Sequence, residues 1–134
     1  MELISYYQTN INNIYNRIKD LYNEASPFFD NDVPLPDMEV MKLNNSKGSL
    51  NRAFYDWSLA CIKQLQSVMN DVIGDFNDNG IVDEDAGDTA LLKLWVPERL
   101  AVNDTYMTNL KNNFDMCNKL LDNLNSYTQE YMNY

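Results

Sequence analysis

From Ile4 the chain steps between apolar positions by threes and fours, through Tyr7, Ile11, Ile14, Ile18, Leu21 and Ala25, while Gln8, Asn12, Asn16, Lys19 and Asn23 fall off that line. The spacing is one face of a 3.6-residue helix and predicts a single amphipathic helix. It stops at Ser26-Pro27, because proline disfavours the α conformation in the residue before it. A second line, Leu50, Phe54, Trp57, Cys61, Leu65, Val68 and Val72, predicts a helix from an N-cap at Ser49 to Gly74. Asp88 is placed to cap a short helix, Thr89 to Trp95, before Val96-Pro97 breaks the chain. The last helix begins at Pro97 and carries Leu100, Met107, Leu110, Phe114, Cys117, Leu121, Leu124 and Tyr131 in one heptad register. No useful length of period-two alternation predicts a strand.

Residues 26–48 hold Pro27, Pro34 and Pro36 and the Asp30-Asn31-Asp32 and Asn44-Asn45-Ser46 clusters, so they read as an irregular connection. Its length is unusual, and Phe28, Phe29, Val33, Leu35, Met38, Val40, Met41 and Leu43 supply apolar side chains to pack it down. Three long helices with single apolar stripes must bury them against one another. The expectation is an all-α single domain, residues 1–134, folded as an antiparallel three-helix bundle with a long irregular loop and a short extra helix. Tyr6, Tyr15, Tyr22, Tyr55, Tyr127 and Tyr134 lie off the main stripes, either at the edge of the core or on a partner surface. Cys61 and Cys117 fall on the stripes and read as small buried hydrophobes.

Composition narrows the chemistry. The chain has no histidine, so it can build no His-dependent triad, His zinc site or imidazole switch. The two cysteines have no C-x-x-C spacing, and none of the four glycines begins a phosphate-cradling loop. Ten bases scattered among twenty acids leave a net charge of −10, which lacks the footprint of a nucleic-acid binder. No apolar run is long enough for a membrane span, and the first residues do not read as a signal peptide. Twenty asparagines beside nine tyrosines are typical of AT-rich coding, as in a low-GC bacterium or its phage.

One constellation carries chemistry. Residues 74–88 read Gly-Asp-Phe-Asn-Asp-Asn-Gly-Ile-Val-Asp-Glu-Asp-Ala-Gly-Asp. The run resembles a calcium loop of the EF-hand or dockerin type. Asp75, Asn77 and Asn79 match loop positions 1, 3 and 5, Gly80 the turn glycine, Ile81 the backbone-carbonyl position, Val82 the apolar position after it, and Asp83 position 9. Alternate oxygens of such a loop converge on a hard cation only if the chain reverses sharply, which Gly80 permits through positive φ. Ala86 stands where the family supplies a bidentate acid; Asp85 comes one residue early and Asp88 two late. The resemblance implies a calcium ion held by Asp75, Asn77, Asn79, Ile81, Asp83 and Asp88. The same Asx residues also make self-capping turns. Asp83-Glu84-Asp85 reads as a solvated acidic patch rather than a D-x-D metal clamp.

With no catalytic constellation in the sequence, the expectation is a non-enzymatic assembly or adaptor protein. It docks onto other protein subunits or a second copy of itself through the long loop of residues 26–48 and the outer tyrosines, and a phage virion component fits its composition. The alternative is a calcium-binding module built on residues 75–88.

Overall fold

A computed structural model describes residues 2–29, 33–38, 50–82 and 91–133. It holds three long helices, α1 (Glu2–Ala25), α2 (Leu50–Asp78) and α3 (Asp104–Met132), with a single 3-10 turn at Ser26–Phe28 and no strand among the described residues. The all-α three-helix bundle is therefore as the stripes predict. One core joins the three helices, with Ile14, Ile18, Met69, Val72, Phe76, Leu121 and Leu124 almost wholly enclosed.

The helices do not alternate in direction. Near the start of α1, Tyr7 packs edge-on against Trp57 and Phe114, each ring centroid 4.9 Å away. Midway, Tyr15 donates to Oε1 of Gln64, and Arg17 donates to Oδ1 of Asn118 at 2.9 Å. Near its end, Tyr22 meets Asp75 and Phe76, and Glu24 accepts from Gln129. Low numbers meet low numbers at one end and high meet high at the other, so the three helices run parallel, in place of the antiparallel order expected. A short loop forces neighbouring helices to be antiparallel, but residues 26–49 and 79–103 are each long enough to travel back along a helix of about 40 Å. The unusual length of the connection after α1 is thus a requirement of topology.

Other expected boundaries move for identifiable reasons. α2 continues past Gly74 to Asp78. Glycine in a helix costs only about 0.5–1 kcal/mol, less than the burial of Phe76 on the continued turn contributes. α3 begins at Asp104 rather than Pro97, with Asn103 as its N-cap accepting from the backbone N–H of Tyr106 at 2.9 Å. Leu100 consequently lies outside the helix and is exposed. Residues 91–97 form no regular element rather than a helix, and Asp88 and Thr89 lie outside the described residues, as does Ser49. Tyr15 and Tyr22, placed by the stripe at the edge of the core or on a partner surface, are inside it, because α1 is covered by α2 on one side and α3 on the other and its buried arc is wider than one line of residues.

α1 and α3 pack closest. The wider grooves beside α2 are filled by the returning chain. Phe29 sits edge-on to both Tyr22 and Phe76, and Val33 and Met38 pack onto the core, while 91–97 climbs between α2 and α3.

Candidate functional site

The segment that resembles a calcium loop ends α2. Asp75, Asn77 and Asp78 occupy its last turn, and Gly80 follows with φ +72°. The Ile81 N–H donates to the Phe76 carbonyl and the Gly80 N–H to the Asn77 carbonyl, both at 3.1 Å. These two bonds define a Schellman motif, in which a left-handed glycine ends a helix and the next residue folds back over the last turn. Ile81 and Phe76, the pair that makes the accompanying hydrophobic contact in such caps, are both buried. The positive φ expected at Gly80 is present, and here it closes a helix.

This geometry separates some of the expected ligands. Two residues apart on a helix, Asp75 and Asn77 point about 160° away from each other. Asp75 faces α1, where it accepts a hydrogen bond from Tyr22 at 2.6 Å. Asn79 donates from Nδ2 to the Asp75 backbone carbonyl at 2.7 Å. Oδ1 of Asn77 is buried and accepts nothing. Ile81 has its side chain in the core, and Asp83 and Asp88, with the Asp83-Glu84-Asp85 run, lie outside the described residues. Among the described residues no group of three or more carboxylates and thiols is arranged to hold a metal ion.

Electrostatically this end is one-sided. None of the three helices carries a base in its last turn, and parallel helices bring their negative poles to the same end. Asp71, Asp75 and Asp78 line a cleft of about 400 Å³ beside Pro34, Leu35 and Pro36. Burial pushes the Asp75 carboxyl up from its ordinary range, the Tyr22 hydrogen bond works against that shift, and Asp71 and Asp78 add to it. Burial likewise raises the Tyr22 phenol, reinforced by Asp75.

A second feature has no counterpart in the sequence reading. The backbone of 92–95 is held by side-chain amides in place of a neighbouring strand. Asn70 accepts from the Leu92 N–H and donates to its carbonyl; Gln66 accepts from the Leu94 N–H; Asn113 accepts from the Trp95 N–H at 2.8 Å and donates to its carbonyl at 2.9 Å. Trp95 is further fixed edge-on against Tyr106. A signal was present: Tyr106, Leu110, Asn113, Cys117, Leu120, Leu124 and Thr128 form an unbroken three-four line, and Asn113 is a polar residue on it. Flanking this clamped segment, Leu91 is 73% exposed on one side, and Val96 and then Leu100 are exposed on the other.

Cys61 and Cys117 are free and buried, and burial pushes both thiols up to about 12. Of the remaining tyrosines, Tyr6 is exposed, Tyr55 and Tyr127 pack partly against the core, and Tyr134 lies outside the described residues. No described helix is long and apolar enough to cross a membrane. No protein-family model, curated protein or solved structure matches this chain.

Proposed function

We propose that the protein is a non-enzymatic assembly or adaptor subunit that docks on other protein chains, another subunit or a second copy, through the connection between α2 and α3. The observation that carries this reading is Leu91, an exposed leucine directly preceding the backbone of 92–95 that Asn70, Gln66 and Asn113 clamp. Apolar side chains on an already ordered segment lose little further backbone freedom on docking, which lowers the cost of association. Leu35 presents a further exposed apolar side chain on the other connection. The asparagine-rich, acidic composition fits a virion subunit of an AT-rich phage. The test is sedimentation at tens of micromolar, alone and with native lysate of the source organism, for wild type and Leu91→Asp. Association that Leu91→Asp abolishes without lowering the melting temperature supports the reading. A strictly monomeric wild type that retains no partner overturns it.

Calcium binding by residues 75–88 is the second reading, and the buried, unaccepting Oδ1 of Asn77 favours it. It requires the last turn of α2 to unwind and Tyr22 to release Asp75, so that alternate side chains converge on one ion. Millimolar calcium then raises the melting temperature of the wild type and leaves Asp75→Ala unchanged. An equal shift in both, or none in either, removes this reading.

A further inference from the structure

We infer that Asn79–Gly80 is a self-modification site, at which the chain converts its own asparagine to aspartate or isoaspartate when the end of α2 opens. It is the single Asn-Gly step in the sequence. Glycine has no Cβ to hinder approach to its backbone nitrogen, which can therefore reach the side-chain carbonyl of the preceding asparagine. The Gly80 nitrogen attacks Cγ of Asn79 and loses its proton to solvent. The Cγ–Nδ2 bond breaks, the nitrogen leaves as ammonia, and a five-membered succinimide remains. Water then opens either carbonyl of the ring, giving aspartate or, with the backbone rerouted through the side chain, isoaspartate. No oxidant or reductant enters.

In the closed cap both reacting groups are occupied. The Gly80 N–H donates to the Asn77 carbonyl, and Nδ2 of Asn79 donates to the Asp75 carbonyl. Reaction therefore waits on local opening of this end. The product does not restore what was lost. A carboxylate at 79 has no hydrogen to donate to the Asp75 carbonyl, and it adds negative charge to a helix terminus that already carries Asp75 and Asp78. Isoaspartate also lengthens the backbone by one atom, which displaces Ile81 from the Phe76 carbonyl. Each event thus biases the cap toward its open state, and the site acts as a one-way clock.

Incubating the whole protein at pH 8, native and in urea, and mapping the one-dalton gain at residue 79 by peptide mass spectrometry tests this. Conversion at 79 is expected in both samples, at least about tenfold slower in the native protein, the factor set by the closed-to-open equilibrium. Ile81→Ala, which loosens the cap, should speed the native reaction, and Asn79→Asp should melt several degrees below wild type. Equal rates in folded and unfolded chain, no conversion in urea, or an Asn79→Asp protein that melts with the wild type would overturn the inference.

Discussion

The phenol of Tyr22 donates to Oδ2 of Asp75 at 2.6 Å, joining the last turn of α1 to the last turn of α2. Such a contact exists only because both helices end on the same side of the molecule. The parallel order is directly testable. Glu24→Cys with Gln129→Cys should be joined rapidly by a short bifunctional maleimide, because the native pair is in hydrogen-bond contact. Glu24→Cys with Asn103→Cys should not, since Asn103 caps the far end of a helix about 43 Å long. An antiparallel bundle would give the reverse.

The same pair sets a pH response. Asp75 holds its proton more tightly in the folded protein than when unfolded, so the stability it contributes is fully present below the unfolded value of 3.8 and is lost as pH rises through its folded value. Asp75→Asn should therefore gain on the wild type as pH rises through that window. Tyr22→Phe removes the hydrogen bond that lowers the Asp75 value, so the carboxyl should titrate still higher. Carboxyl-detected NMR titration reads both changes, and a downward shift in Tyr22→Phe contradicts this account.

Two glycines six residues apart should respond oppositely to alanine. Gly74 sits in the interior of α2 with open space where a Cβ would go, so Gly74→Ala should stabilise by about 0.5–1 kcal/mol. Gly80 also has space, but its φ of +72° is costly for any residue with a Cβ, so Gly80→Ala should destabilise by about 1–2 kcal/mol. Urea denaturation of the two variants distinguishes them, and equal effects would contradict the Schellman geometry.

Much of this was legible in the sequence. The three stripes locate the helices because burial of a helical face is a local, periodic demand, and Ile14, Ile18, Leu121 and Leu124 are buried where the stripes put them. Direction is different: nothing in a stripe says which way its helix points, and only the length of 26–49 hinted at a return journey. The motif after Gly74 also showed its limit. Asp75, Asn77, Asn79 and Gly80 carry the residue types of a cation loop, yet a glycine in the left-handed region after Asx residues equally serves a helix end, and Ile81 over Phe76 accompanies that end here. Ends of elements depended on partners distant in sequence, as Asn113 shows by holding Trp95.

The amide clamp should be costly to remove. Asn113→Leu keeps a similar volume but leaves the half-buried N–H and carbonyl of Trp95 without their partners, at about 1 kcal/mol for each lost bond. Hydrogen exchange at Trp95 should rise with that loss. Exchange that stays as slow as in the wild type would mean the segment is held by its side chains alone.

Both thiols should be inert in the folded protein. With values near 12, Cys61 and Cys117 carry almost no thiolate at pH 8 and are covered by the core. A disulfide-exchange reagent should titrate neither quickly in buffer and both at once in denaturant. Rapid labelling of either in the native protein would show that the core opens at that site.

The parallel order also decides when the chain can become itself. The contacts of α1 with α3 join residues about a hundred apart, Arg17 to Asn118 and Glu24 to Gln129. Helical proteins usually fold through neighbours in sequence, and quickly; here the closest helix pair closes the longest loop, which is the signature of a slow folder. During synthesis the first helix leaves the ribosome with its apolar stripe bare, and at about 5–20 residues per second several seconds pass before its main partner follows. For that interval α2 alone can shelter it, so a chain truncated before α3 should be insoluble or held by chaperones even though most of its residues are present.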